Sequence, residues 1–354
     1  MADNFEKLLK TALEKEVSDI HITSNKKICF RKNKKLFTID EFVSDKEVSG
    51  IITNLLDEKT RPVYNKNGSV DLAFKDNNNV RYRINIYNQI SGPALSIRVI
   101  NDKIMDLAKT ASVDIIKEIS ALNQGLVLIT GPAGSGKSTT LASIIEYINQ
   151  TQSRHIITIE DPVEYVYQDK KSLIHQIEIG PDALNFNTAL ISSLRQDPDI
   201  IMIGEIRDGN AMETAIRAAE TGHLVLSSLH TDGAAKAIGR ISDFFELSEQ
   251  SKITQRLSEI LKIVISQKLL ISTDGGLVLC QEILKVNKAA QNIIRTGRTE
   301  QLDSIMQTSS KSGMITMDNS LIKLYNNNQI TTEELRKNCS NLEYCLSLLS
   351  KGGN

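Results

Sequence analysis

The sequence predicts an α/β protein of two domains, and three observations carry that prediction. Period-two strands occupy much of the first hundred residues. From about residue 121 short apolar strands alternate with amphipathic helices, and a glycine-rich loop joins one of those strands to a helix. With 354 residues, 40% hydrophobic and 24% charged, the chain is long enough for two separate cores and too apolar for disorder.

Phe5, Leu8, Leu9, Ala12 and Leu13 recur at helical spacing and predict an opening helix packed on a small domain. In VRYRINIY, the side chains of Val80, Tyr82, Ile84 and Ile86 share one face of a strand, and Arg81, Arg83 and Asn85 share the other. The preceding VDLAF and the polar turn DNNN complete a hairpin. LSIRVI adds a strand with Leu95, Ile97 and Val99 inward and Arg98 outward. The basic run KKICFRKNKK, Lys26 to Lys35, reads as a solvated hairpin, with anionic lipid headgroups or an acidic partner as the alternatives. These elements place a first domain at residues 1–100 and a linker with helical pattern at 101–120.

The second domain is expected over residues 121–354. Strands GLVLIT, HIITIE, DIIMIG and HLVLSSLH alternate with a helix from Lys137 and the helical segments NFNTALISSLR and NAMETAIRAAE. Such alternation implies a mainly parallel sheet covered on both faces. Gly222 suits the end of the helix before the last strand. From about residue 247 the pattern reads as mostly helical, and TTEE from Thr331 to Glu334 fits a capping box.

Several function classes are disfavoured by composition. The 42 basic and 43 acidic side chains argue against a surface devoted to nucleic acid, and no nucleic-acid partner is expected. Cys29, Cys280, Cys339 and Cys345 form no paired CxxC units, so neither a disulfide framework nor a tetrathiolate zinc site is suggested. No apolar run approaches the roughly 18 residues needed to span a bilayer, and MADNFEKLLK does not resemble a signal peptide. A cytoplasmic protein with peripheral membrane contact only is the expectation.

The strongest local motif is GPAGSGKS: Gly131, Pro132, Ala133, Gly134, Ser135, Gly136, Lys137 and Ser138, directly after a strand and directly before a helix. In that context backbone N–H groups and the positive helix end enclose phosphates, Lys137 reaches the β- and γ-phosphates, and the Ser138 hydroxyl ligates magnesium. ATP and Mg²⁺ are therefore the expected cofactors. Hydrolysis also needs a carboxylate acting on water and an acid near the metal. ITIEDPVEY supplies Glu160, Asp161 and Glu164 at one strand end, and DPDIIMIGEIRD supplies Glu205, Arg207 and Asp208 at another.

GPAGSGKSTT, IEDPVEY, DPDIIMIGEIRD and AAETGHLVLSSLHT, in that order, resemble the Walker A, Asp box, Walker B and His box of the secretion ATPases that power type II secretion and type IV pili. The resemblance runs from VSDIHIT, near residue 18, almost to the end of the chain. It is nearest to the retraction ATPases, the PilT family. The chain is short, lacks a tetracysteine insertion after the His box, and ends in AAQNIIRTGRTEQLDSIMQTSSKSGMITMDNSLIKLY. That tail contains a version of the AIRNLIRE motif, with Gln291 where arginine is usual and Thr296 where glutamate is usual. Ile191 stands where an arginine is usual, and GEIRD replaces the GEMRD more typical of retraction enzymes.

What the resemblance implies is a PAS-like N-terminal domain, a RecA-like ATPase domain with a helical C-terminal subdomain, and assembly as a homohexamer. An inner-membrane pilus platform protein is the implied partner, reached from the inner face of the cytoplasmic membrane. Carried over by position, Lys137 meets the phosphates, Ser138 the magnesium, and Thr139 adjoins the α- and β-phosphates. Glu164 is the general base or water-orienting group, with Glu160 and Glu205 supporting the magnesium shell. His230 and His223 bracket the His-box strand, Arg207 is a sensor or a partner of Asp208, and Arg81, Arg83 and Arg98 are candidates to contact nucleotide from the N-terminal domain. The rivals are a pilus assembly or type II secretion ATPase without its zinc module and, from another class, a RecA-like nucleic-acid translocase. A nucleotide-dependent ring with negligible turnover is disfavoured by the paired acidic clusters.

Overall fold

The computed structural model describes residues 2–32, 35–78, 80–100 and 113–351. The chain divides into two compact units, Met1–Lys103 and Ile104–Asn354.

In the first unit six strands form an antiparallel sheet: β1 (Asp19–Thr23), β2 (Lys26–Lys32), β3 (Lys35–Val43), β4 (Ser69–Lys75), β5 (Arg81–Gln89) and β6 (Gly92–Ile100), in the order β3-β2-β1-β6-β5-β4. Period-two alternation sorts the side chains. Ile20, Ile22, Phe30, Tyr82, Ile84, Ile86, Leu95 and Ile97 are fully buried against Phe5, Leu8, Leu9 and Ala12 of the helix Ala2–Glu14 and Val48 and Ile52 of the helix Asp45–Leu55. Of the basic run, Lys26–Lys32 forms β2 and Lys35 opens β3, residues 33–34 lying outside the described ones. Cross-strand register places Arg31, Asp19, Arg98 and Arg83 side by side on the sheet's other face. Arg98 Nε donates to Asp19 at 3.0 Å, and Arg83 Nε lies 3.6 Å from Asp71. Arg83 and Arg98, two of the arginines named from sequence, are thus paired with acids across the sheet.

In the second unit seven strands follow the order β13-β12-β7-β11-β10-β8-β9. They are β7 (Gly125–Thr130), β8 (His155–Glu160), β9 (Leu173–Glu178), β10 (Ile200–Ile203), β11 (Leu224–Leu229), β12 (Leu261–Ile271) and β13 (Leu277–Lys285). All pairings are parallel except β12 with β13. β7 shows why its sequence is continuously apolar. Leu126 and Leu128 belong to the core under the helices Gly209–Glu220 and Leu247–Ile260, while Val127 and Ile129 belong to the opposite core under Val113–Ser120 and Lys137–Thr151.

Two expectations change. The segment read as linker lies partly outside the described residues, and its remainder, Val113–Ser120, is a helix whose Ile115, Ile116 and Ile119 are buried in the second unit's core. The region beyond 247 is mostly helical and opens with the helix Leu247–Ile260, but β12 and β13 interrupt it with a hairpin that extends the sheet. In LKIVISQKLLI the run from Ile263 to Gln267 is buried, so no alternation of polar and apolar residues betrays the strand. Thr331 does cap the helix Thr332–Asn338, accepting from the Glu334 N–H at 3.2 Å.

Glu282 on β13 ties the hairpin to two helices. Its buried carboxylate accepts from the N–H of Ala234 at 2.7 Å and of Met317 at 3.2 Å, at the starts of Ala234–Ser242 and Met317–Asn326. Glu282→Ala should therefore lower stability by about 2 kcal/mol, two helix caps being lost together. Urea denaturation would measure this, and an unchanged midpoint would show that neither cap matters to stability.

Candidate active site

Parallel strands bring their C-terminal ends to one edge, and the sequence places its polar motifs there. β7 ends at Thr130 and turns at Gly131, whose φ is +144°. A Cβ at Gly131 would stand 2.4 Å from the Gln267 carbonyl oxygen, so only glycine fits. The loop enters the helix Lys137–Thr151 through Gly136, which offers no side-chain cap. The first N–H groups of that helix are thus left for an anion. Pro132, Ala133 and Gly134 are exposed, whereas Ser135 and Lys137 are buried.

Lys137 Nζ donates to the carbonyls of Gly131 at 2.9 Å and Pro132 at 3.1 Å, and lies 3.4 Å from His230 Nδ1. Burial lowers its pKa while the nearby Glu164 charge raises it. His230 Nε2 lies 2.8 Å from Glu205 Oε2. With Lys137 as donor to Nδ1, the imidazole carries its proton on Nε2 and gives it to Glu205. Burial, then Lys137 and Arg207, hold the His230 pKa below its usual value. Arg207 pairs with Glu205 and reaches Asp161 at 3.4 Å. Asp208 instead caps the helix Gly209–Glu220, accepting from Ala211 N–H at 2.9 Å, so of the two readings of Arg207 the structure does not show the pair with Asp208.

Glu160, at the end of β8, is buried and accepts from Thr158 Oγ1 at 2.7 Å and Glu164 N–H at 3.3 Å. Burial outweighs these bonds and pushes its pKa up to about 7. Glu164 is exposed on the loop that follows. The Thr139 hydroxyl lies 2.9 Å from the Tyr165 hydroxyl, linking that loop to the phosphate-loop helix. The donor set suits magnesium, which keeps most of its waters and takes one or two carboxylates beside phosphate oxygens; Ser138 stands at the loop after β7, and Glu205 follows β10, one strand removed in the sheet.

His223 does not join this cluster. It precedes β11, seven residues and thus roughly 23 Å from His230, and its Nδ1 sits 2.9 Å from the Ala218 carbonyl at the end of a helix. Its expected nucleotide contact is therefore set aside for the site of its own chain. Arg81, Arg83 and Arg98 belong to the first unit's sheet, and Ile191 is an exposed residue of the helix Phe186–Ser193. Sequence reasoning missed Thr158, Tyr165 and Gln267. The last could have been noticed as a lone amide inside an apolar strand, and its Nε2 donates to Thr140 Oγ1 at 2.8 Å.

A family model for the type II/IV secretion system protein matches residues 2–343. The chain belongs to that family. It is 45% identical over 302 residues to a twitching motility protein of Neisseria gonorrhoeae, covering 85% of this chain and 81% of that protein. It is 38% identical over 331 residues to the type IV pilus retraction ATPase PilT of Pseudomonas aeruginosa, covering 93% and 96%. The crystal structure of the pilus retraction motor PilT with bound ADP superposes with a TM-score of 0.86 at 40% identity, covering 96% of this chain and 97% of that one. Within the family the chain is an ATP hydrolase of the retraction type.

The Glu160 carboxyl yields a pH prediction. Its folded pKa lies above the ordinary 4.5, so its contribution to stability is fully present below pH 4.5 and is lost as pH rises through about 7. Glu160→Gln should remove that loss. Relative to the unsubstituted chain, the variant should gain roughly 1–3 kcal/mol between pH 5 and pH 8 in nucleotide-free thermal denaturation. A difference that stays constant across the range would contradict the assignment.

Proposed function

We propose that this ATPase is the hexameric motor that retracts type IV pili, working at the inner face of the cytoplasmic membrane on a platform protein embedded there. The observation that carries the reading is the linkage of Lys137, His230, Glu205 and Arg207 around one phosphate loop, in a chain matched over nearly its whole length to a retraction ATPase. Lys137 exchanges its loop carbonyls for β- and γ-phosphate oxygens. Ser138 and Glu205 would hold Mg²⁺, with Glu160 behind them, and the ion supplies charge neutralisation on the phosphates. Glu164 orients water, and Arg207 and His230 respond to the state of Glu205. Residues 1–100 act as the N-terminal domain of the motor, and 121–354, with the helix Val113–Ser120 packed into the same core, as its ATPase domain.

The helix Lys288–Arg295 supports a division between chemistry and coupling. Ala290, Ile293 and Ile294 are buried, whereas Asn292 and Arg295 are exposed, with Arg295 Nη2 donating to Asn292 Oδ1 at 2.8 Å.

ATPase assays with Mg²⁺ should show Lys137→Ala inactive and Glu164→Gln slowed about a hundred-fold or more while still binding nucleotide. Unchanged turnover in Glu164→Gln would move the hydrolytic role elsewhere. In cells, deletion should leave more or longer pili and no twitching; bald cells would instead indicate an assembly motor. Replacing Asn292 and Arg295 together by alanine should leave turnover nearly intact and abolish retraction. Loss of turnover in that double variant would refute the division of labour.

A further inference from the structure

We infer that Asn149 and Gln176 are positioning residues for hydrolysis, two side-chain amides, one from a helix and one from a strand, that clamp the main chain of the Glu164 loop. The inference rests on the proposed role of Glu164. Between β8 and β9, residues 161–172 adopt no helix or strand, so the loop has no ladder of its own to fix it. Asn149, fully buried in the helix that begins at Lys137, donates from Nδ2 to the Gln168 carbonyl at 2.8 Å and accepts at Oδ1 from the Lys170 N–H at 3.0 Å. Its own carbonyl accepts from the Lys171 N–H at 2.9 Å. Gln176, on β9, does the same nearer to Glu164. Its Nε2 donates to the Tyr165 carbonyl at 2.7 Å, and its Oε1 accepts from the Tyr167 N–H at 3.0 Å.

Each amide presents one donor and one acceptor to a main-chain carbonyl and N–H, as the edge of a strand would. A carboxylate lacks the donor and an aliphatic side chain lacks both. The anchors are not arbitrary parts of the fold. Asn149 belongs to the helix that carries Lys137 and Ser138, while β9 pairs with β8, which ends in Glu160. Gln176 Nε2 also lies 3.5 Å from Glu160 Oε1. The clamps therefore fix an irregular loop against both the phosphate loop and the buried acid. A water-orienting group needs that fixity, since displacement by about 1 Å costs up to roughly a hundred-fold in rate.

Steady-state ATPase kinetics and titration with a fluorescent ADP analogue test the proposal on the full chain. In Asn149→Ala and Gln176→Leu, kcat should fall about ten- to a hundred-fold, while KM for ATP and analogue affinity stay within about two-fold. Gln176→Glu keeps the acceptor for Tyr167 and loses the donor for Tyr165, and should fall between. In a Glu164→Gln background the clamp substitutions should lower the residual turnover no further, because they act through Glu164. Unaltered kcat in Gln176→Leu, an additive loss in the Glu164→Gln background, or a matching loss of nucleotide affinity would each overturn the proposal. Gln176 is only partly buried, so its variants decide the matter if Asn149→Ala does not fold. Full turnover in Glu164→Gln would remove the role of Glu164 and the clamp with it. The expected loss in Glu164→Gln beside normal clamp variants would remove the clamp alone.

Discussion

The second unit depends on how closely its phosphate loop approaches β12. The carbonyl of Gln267 occupies the place where any side chain on residue 131 would begin, and the Ser135 hydroxyl closes the same space at 2.7 Å. Contact of this kind fixes the loop by exclusion. The same residue also reaches forward, because the Gln267 amide donates to Thr140 in the first turn of the following helix. One strand residue therefore sets both the start of the loop and the helix on which the loop ends. Lys137, between them, has no freedom to leave the site and satisfies its ammonium on the loop's own carbonyls.

That arrangement makes the charges of the site interdependent. A buried ammonium bonded to neutral carbonyls gains when anionic oxygens replace them, since charge-assisted bonds are roughly twice as strong. His230 stands between Lys137 and Glu205, with one ring nitrogen toward each. Protonating Nδ1 would set a second positive charge against the lysine, so the neutral ring is the stable form and its orientation is fixed. Glu205 in turn is shared with Arg207, which also reaches Asp161. A change at the phosphate loop thus alters the partners of a base, an acid and an arginine contributed by two strand ends, those of β11 and β10.

Much of this was legible in the sequence, for physical reasons that differ by element. The glycine-rich loop was readable because its backbone geometry admits few residues, and the strands around it because their apolar runs end in polar clusters. The one-sided first sheet declared itself through strict alternation, as Tyr82, Ile84 and Ile86 show. β12 stayed hidden because burial on both faces erases alternation, and its apolar spacing also suits a helix. Of the two histidines His230 was already the better candidate in sequence, because it stands at the C-terminal end of its strand, where ligands gather. The fold puts it at the phosphate end and His223 beside a helix terminus. Asn149 and Gln176 gave no sign, since an amide that bonds to main chain has no side-chain partner whose type would betray it.

The β12 pleat also explains how the site is joined to the rest of its unit. Successive side chains point to opposite faces, so Gln267 reaches the phosphate-loop helix while its neighbours Ser266 and Lys268 reach the segment after His230. Ser266 Oγ accepts from the Gly233 N–H at 2.9 Å, and Lys268 Nζ meets Asp232 at 3.0 Å. One strand therefore grips the loop on one face and the His230 segment on the other. Its antiparallel partner β13 adds Glu282, which holds the helix after that segment and the helix Met317–Asn326 together. A slip of one residue would exchange the two faces of β12 and break every one of these contacts. The register is held against that slip by continuous pairing from Ile263 to Ile271 with β13 and by the parallel ladder from Ile263 to Ser266 with β7, both lying beyond the irregularity at Leu261 to Ile263. The hairpin thus joins the segment after His230 to the helix Met317–Asn326 through direct contacts.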